Sequence, residues 1–372
     1  MRPMTREKHS PHMIRRCGGT KPHILATPPA TLAAWLEKAG EPAYRLGQVL
    51  HWVYREYATT FNEMTNLPAS LRERLAETLA CGGLVLRERC TSPAGTTEKF
   101  LFELHDGEQI ESVVMVEADR ASFCISTQAG CALGCAFCAT GAMGFARDLT
   151  APEILGQVLF LSRARGRPHT IVFMGMGEPL LNLDALIFTL EALTDPSRFG
   201  LGLRHITVST AGITPGILRL AAAPVRPNLA LSLNSPFHDQ RSELMPVNRK
   251  YPLAEVLKAC DEYARASGRR LMLEYVLISG VNTSPDAARA LASIARQYRA
   301  LVNLIVFNPV AESPYRSPSP DEVQRFRAAL KARGAKVTQR FRRGQEIAAG
   351  CGQLRGRHAS TRAAGAPAEG NR

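Results

Sequence analysis

Three cysteines stand close together in the spacing Cys131-x3-Cys135-x2-Cys138. Thiolates at such spacing ligate iron–sulfur clusters or structural zinc. A zinc site would want a fourth ligand, and no Cys or His occurs in the thirty residues after Cys138. A 4Fe–4S cluster held by three cysteines leaves one iron open to a small molecule, and the spacing favours that arrangement over zinc. Further along lies Gly175-Met176-Gly177-Glu178, a glycine-rich turn ending in a carboxylate. Alone it is a weak signal, because such turns are common for steric reasons. Ser209, Ser232 and Asn308 are hydrogen-bonding residues that could equally cap strand ends. An isolated cysteine usually reads as a small buried apolar residue, and Cys81, Cys90 and Cys260 are read that way.

The elements that must position these residues follow from periodicity. Residues 1–28 lack a period and are expected to be disordered, Cys17 with them. Residues 29–82 read as a small helical domain: a helix capped by Thr31, another over 44–57, and a third capped by Ser70 after Asn66-Leu67-Pro68. Its aromatic residues, Trp35, Trp52, Tyr54, Tyr57 and Phe61, are expected in its core. Residues 83–116 switch to a period of two and read as a short β meander. From 117 to 354, six apolar strands alternate with amphipathic helices over 152–164, 183–194, 214–222, 252–267, 285–299 and 320–333. That alternation predicts an α/β fold with parallel strands and right-handed crossovers, a full or open barrel. Chemistry in such folds sits at the C-terminal strand ends, where Met174–Glu178, Ser209–Gly212, Ser232–Ser235 and Asn308 fall. Residues 355–372 read as a disordered basic tail.

Composition sets the outer limits. The chain has 372 residues, 45% hydrophobic and 21% charged, and no apolar run near the roughly 18 residues of a membrane span. No apolar core follows the basic start, so secretion is not expected. Nine cysteines, an odd number, read as thiols of a reducing cytoplasm. The net charge of +13 lies at the two ends, with +5 in residues 1–30 and +8 in residues 331–372. Basic ends on a neutral body suggest a polyanion, nucleic acid first, or a pair of solvated tails.

The cysteine loop resembles that of radical S-adenosylmethionine enzymes. The surrounding stretches resemble one family among them, the adenine carbon-2 methyltransferases of 23S ribosomal RNA and tRNA. These stretches are Phe123-Cys124-Ile125-Ser126 with Gln128 and Gly130-Cys131, Gly175 to Leu180 with Asn182, Val208 to Gly212, Leu231 to Asn234, Met245 to Pro252, and Ala349 to Leu354. The likeness runs from about residue 29 to 355, including Leu50 to Leu71.

The resemblance implies a partial (β/α)6 radical S-adenosylmethionine barrel with the helical domain and β meander attached. It implies one 4Fe–4S cluster on Cys131, Cys135 and Cys138, and two S-adenosylmethionine molecules per turnover. Gly177, Glu178, Ser209, Ser232, Leu233, Asn234 and Asn308 would bind that cofactor, with Glu178 orienting its amino group. Carbon 2 of adenine is electron-poor and cannot attack a sulfonium methyl group, so the problem is divided, as in covalent catalysis. The resemblance makes Cys351 the methyl carrier, Cys124 the resolving thiol that ends in a Cys124–Cys351 disulfide, and Glu111 a proton acceptor. Glu111 otherwise reads as a solvent-facing strand residue. Many relatives carry Ser-Leu-His where this chain has Ser232-Leu233-Asn234, so a titrating role there is in doubt. The expected partners are 23S rRNA at the peptidyl transferase centre, tRNA at position 37, and a donor such as flavodoxin or ferredoxin, for a cytoplasmic monomer off the membrane. Carbon-8 methylation of adenine, a radical enzyme with another substrate, and a non-catalytic iron–sulfur RNA-binding protein are the competing readings.

Overall fold

The computed structural model describes residues 21–118, 120–310, 313–340 and 344–355. Most of the expected disordered ends, residues 1–20 and 356–372, lies outside the described residues, as does Cys17. Residues 21–28 are packed, contrary to expectation. Ile24 and Leu25 are buried, because the His23 ring ties the segment down. Its Nε2 meets the Gly82 carbonyl at 2.6 Å and its Nδ1 accepts the Leu25 N–H at 3.1 Å. Burial lowers the His23 pKa, in keeping with a neutral ring that donates from one nitrogen and accepts at the other.

Helices α1 (Pro29–Lys38), α2 (Tyr44–Tyr54) and α3 (Ala69–Thr78) follow. α1 starts directly after Pro28 and α3 after Pro68, so Thr31 and Ser70 sit inside the first turns instead of capping them. Leu32, Leu36, Val49, Val53, Leu71 and Leu75 turn inward with Tyr54 and Phe61. Trp52 is half-buried, its indole N–H donating to Asn66 Oδ1 at 2.6 Å. Arg55 fastens this unit to the rest by donating to the Phe199 carbonyl at 2.7 Å.

One ten-stranded sheet organises the remainder. β1 (Val85–Thr91), β2 (Thr97–Glu103), β3 (Gln109–Glu117) and β4 (Arg120–Cys124) are antiparallel. A small hairpin, β5 (Gln128–Gly130) with β6 (Phe145–Asp148), brackets the short helix α4 (Ala139–Ala142). Next come α5 (Ala151–Arg165), β7 (Thr170–Phe173), α6 (Leu183–Thr194), β8 (Ile206–Thr210) and α7 (Thr214–Ala222). β9 (Asn228–Ser232), α8 (His238–Leu244), α9 (Leu253–Ser267) and β10 (Met272–Leu277) follow. α10 (Pro285–Gln297), β11 (Leu301–Val306), α11 (Pro320–Ala332) and β12 (Lys336–Gln339) complete the order.

Pairing from β4 through β7, β8, β9, β10 and β11 to β12 is parallel throughout. This is the expected α/β partial barrel. The meander is continuous with it, since β3 pairs with β4 along that strand's full length. Thr150 opens α5 with a reciprocal Thr150–Glu153 cap, and Ser284 and Ser319 cap α10 and α11. No helix among the described residues is long and apolar enough to cross a membrane.

β1 and β12 are the two edges of the sheet. The chain after β12 returns across the opening to β2 and β3. Lys99 Nζ donates to the Ala348 carbonyl at 3.5 Å, and the Arg355 N–H donates to Glu111 Oε2 at 2.8 Å. Gly344 lies against Thr97, where an added Cβ would come within 2.7 Å of Thr97 Cγ2. Among the described residues this segment holds a single helical turn, Gln345–Ile347, and no strand.

Candidate active site

The cysteine loop follows β4 and β5 and is fixed by its backbone. The Cys131 N–H donates to Gly144 at 2.7 Å, Cys138 to Cys135 at 3.1 Å, and Ala136 to Leu244, the last residue of α8, at 3.0 Å. Burial pushes the Cys131 thiol up to about 12. Burial also raises Cys135 well above its ordinary value, followed by the charges of Cys138, Cys131 and Glu178. Neither Cys131 nor Cys135 therefore ionises easily alone, and a shared cation would draw off their protons. Among the described residues, no three His, Cys, Asp or Glu side chains converge as they would around a single ion. Three thiols in one loop, whose charges act on one another, are a donor set that fits a cluster with three protein ligands.

Glu178 stands beside this loop, just past β7. It is buried, and desolvation raises its pKa to about 7 against the pull of its hydrogen bonds. Oε2 accepts the Ala211 N–H at 2.8 Å and Oε1 the Leu180 N–H at 3.1 Å. Its own N–H donates to Gln128 Oε1 at 2.8 Å. Gly177 has φ +96, and a Cβ there would fall 2.8 Å from the Gln128 nitrogen, so glycine lets this turn close on β5. An incoming ammonium group would supply the positive charge that this carboxylate lacks among its bonded partners.

The other predicted binding residues lie along the same strand ends. Ser209 and Ser232 are half-buried in the last turns of β8 and β9, with Leu233 and Asn234 buried directly after. Asn234 adopts φ 57. Its Oδ1 accepts the Val276 N–H at 2.9 Å, and its carbonyl accepts Asn282 Nδ2 at 2.8 Å. At the position where many resembling enzymes carry His, this side chain is a neutral tie between β9 and β10.

A cavity of about 150 Å3 opens at the barrel mouth, lined by Cys124, Cys138, Met174, Asn308, Arg340 and Cys351 among others. Cys124 ends β4, in register with Val113 on one side and Val172 on the other. Desolvation pushes its thiol up to about 12, with Cys351 the next cause. Cys351 is open to solvent at the cavity rim yet ringed by protein atoms. Asn308 holds the Cys351 loop: its Nδ2 donates to the Cys351 carbonyl at 3.1 Å, and its Oδ1 accepts Gln345 Nε2 at 2.7 Å. The same loop docks on the cysteine loop through the Ala139 N–H to Gly352 (2.7 Å) and Thr140 Oγ1 to Leu354 (2.6 Å).

Glu111 is buried, not solvent-facing. β3 is covered on both faces along most of its length, so its alternation does not mark an outer side. Glu111 pairs with Lys99 Nζ at 2.9 Å and accepts the Arg355 N–H, so both oxygens are engaged.

Three polar residues of the site escaped sequence reading. Gln128 braces Glu178 as described. Arg241, on α8, is fully buried and donates to Ala211 O (2.7 Å), Leu233 O (3.0 Å) and Asn248 Oδ1 (2.7 Å). Desolvation lowers its pKa to about 10. Arg340, one residue past β12, reaches Glu274 and the Cys351 thiol. The signal available for Arg340 was a basic residue directly ending the last strand of a barrel, at the edge where chemistry sits.

Two family profiles match the chain: the Radical SAM superfamily over residues 125–291, and the ribosomal RNA large subunit methyltransferase N-terminal domain over 23–81. The "Probable dual-specificity RNA methyltransferase RlmN" of Gemmatimonas aurantiaca is 48% identical over 328 residues, covering 88% of this chain and 90% of that protein. The protein of the same name from Rhodopirellula baltica is 45% identical, covering 91% and 92%. A crystal structure of a radical SAM methyltransferase from Sphaerobacter thermophilus superposes with a TM-score of 0.85 at 43% identity, covering 90% of this chain and 99% of that one.

Proposed function

The chain belongs to the RlmN family of radical S-adenosylmethionine RNA methyltransferases, and from that premise we propose that it methylates carbon 2 of adenosine in 23S rRNA and tRNA. The 4Fe–4S cluster and S-adenosylmethionine are the cofactors of this family. When bound, they supply the electron and the methyl and radical chemistry.

Every other part falls to the chain's own residues. Cys131, Cys135 and Cys138 hold the cluster. Glu178 takes the amino group of the cofactor, with Gly177, Ser209, Ser232, Leu233, Asn234 and Asn308 along its length. Cys351, as thiolate, accepts the methyl group; the methyl carbon, relieved of one hydrogen atom by the radical chemistry the cofactors would supply, would then bond to carbon 2 and link the Cys351 sulfur to the base. Glu111 takes the proton that carbon 2 must lose. Cys124 attacks the Cys351 sulfur, the sulfur–carbon bond breaks toward the base, and a disulfide remains. The electrons that reopen it and feed the cluster come from a flavodoxin- or ferredoxin-like donor.

The single observation that carries this reading is that Cys124 and Cys351, 227 positions apart in sequence, line one cavity together with the cluster ligand Cys138. A cluster enzyme without a carrier has no use for that pair. In the domain reading, residues 29–82 engage RNA, residues 83–116 flank the barrel, and residues 117–354 carry the chemistry. The basic ends, 1–28 and 355–372, add phosphate contacts, and the enzyme acts as a cytoplasmic monomer. Mass spectrometry of RNA nucleosides after anaerobic incubation tests the reading. It expects 2-methyladenosine, whereas 8-methyladenosine alone would move the chain to the sister activity. S-adenosylmethionine left uncleaved in the presence of dithionite would make it a binding protein.

A further inference from the structure

Cys351 must be a thiolate to take a methyl group, because the thiol is a poor nucleophile. Its surroundings work against that: desolvation raises the thiol, and Glu274 adds to the rise. Arg340 from the end of β12 is the counterweight. Its backbone N–H donates to the Leu304 carbonyl at 2.9 Å, which fixes the residue against β11. Its guanidinium lies 3.5 Å from Glu274 Oε1, hydrogen-bonds the Cys351 thiol and acts on Cys124 as well. Glu274 is in turn held by Asn303, whose Nδ2 lies 3.1 and 2.9 Å from its two oxygens. One planar fork therefore spans a buried carboxylate and both cavity thiols.

We propose that Arg340 is a further catalytic residue, whose guanidinium, braced by Glu274, carries the negative charge of Cys351 when that thiol acts as nucleophile. The step in which it acts rests on the methyl-carrier reading above. The thiol proton leaves to solvent. The Cys351 Sγ–methyl bond forms as the sulfonium sulfur–methyl bond breaks, and the electron pair stays on the departing neutral thioether. Anion and cation are consumed together, so Arg340 serves the ground-state thiolate. The compromise still favours reaction. One unit of pKa lowering gives about tenfold more thiolate and costs about threefold in nucleophilicity, a net gain of about threefold.

The groups facing Cys351 are Arg340 from the β12 end, Glu274 from β10, Cys124 from β4 and Cys138 from the cysteine loop. On the β2 and β3 side, the Lys99–Glu111 pair holds the loop at Ala348 and Arg355.

The test is the pH profile of Cys351 alkylation by iodoacetamide, read by peptide mass spectrometry on the full-length reconstituted enzyme without RNA. Arg340→Met should move the profile up by about one pH unit or more and slow alkylation at pH 8 by at least about threefold. Glu274→Gln should move it down, because the carboxylate that opposes the thiolate is gone while the amide oxygen still accepts from the guanidinium. Opposite displacements mark charge and not packing; a shared direction, or no displacement, overturns the proposal. If Arg340→Met fails to fold by circular dichroism, Arg340→Gln, which keeps a donor and loses the charge, takes its place, an unchanged or lowered profile being the refuting result. In parallel, the wild-type enzyme is incubated with S-adenosylmethionine. Absence of methyl from Cys351 there would sink the carrier reading and leave the Arg340 result standing.

Discussion

The cysteine loop and the Cys351 loop face each other across one cavity and are built differently. The first is held by backbone hydrogen bonds to the β6 hairpin and α8, and its Leu133, Cys135 and Phe137 pack on the buried residues Ala211, Leu244 and Met245. The second has one backbone tie to the cysteine-loop side, from the Ala139 N–H to Gly352, buries only its Ala349 and Leu354, and otherwise takes side chains reaching to it: Asn308 on Cys351, Gln345 on Asn308, Gln353 on Gly350, and Thr140 on Leu354. Backbone ties and apolar packing resist displacement, whereas side-chain ties can be exchanged singly. The contrast suits the proposed roles, in which a cluster stays fixed while the Cys351 sulfur moves between cofactor, base and Cys124.

The largest effects should come from removing the sulfurs. Ala at Cys131, Cys135 or Cys138 should remove both iron and methylation, whereas Cys351→Ala should remove methylation and leave iron and sulfide content intact. Loss of iron in Cys351→Ala would erase the distinction between the loops. Cys124→Ala should stall later, accumulating a covalent protein–RNA adduct visible on denaturing gels; free RNA alone would argue against its resolving role.

Glycine substitutions sharpen the comparison at smaller cost. In Gly177→Ala the new Cβ would lie 2.5 Å from Gln128 Cβ and 2.8 Å from its backbone nitrogen, at φ +96. Neither neighbour can move freely, so thermal stability should fall by about 1–3 kcal/mol. In Gly350→Ala the Cβ would meet Asn308 Nδ2 at 2.6 Å and Gln353 Oε1 at 2.7 Å, both ends of side chains. Stability should change little, while methylation falls on the order of tenfold to a hundredfold from a displaced Cys351.

Much of this architecture was legible from periodicity. The helices over 183–194 and 214–222 were placed to the residue, because long amphipathic runs between apolar strands have few other solutions. α8 was not seen. Its seven residues, His238–Leu244, are almost all polar, and the burial of Arg241 depends on carbonyls that β8 and β9 deliver from far away in sequence. Glu111 misled for a related reason: alternation marks a solvent face only where one side of a strand is open, and β3 is covered on both. Partners of Arg340 and Glu274 likewise meet only through strand order.

The last prediction concerns Glu178, on the rigid side. Its folded pKa is raised from 4.5 to about 7, so the native state binds the proton more tightly than the unfolded chain. Without a bound cofactor, stability should be highest below about pH 4.5 as far as this group is concerned, and should fall as pH rises to about 7, by about 3 kcal/mol at most. Melting temperature against pH should show that slope, and Glu178→Gln should flatten it.

The segment after β12 that lies against β2 and β3 also sets a timetable. Synthesis at about 5–20 residues per second leaves roughly 10–40 s between the appearance of Cys138 and that of Gly344. Until then a nascent chain has β2, β3 and the cysteine loop but no far wall and no travelling sulfur. An unfinished or prematurely terminated polypeptide would therefore be unable to carry a methyl group to a base, however well its earlier strands had folded.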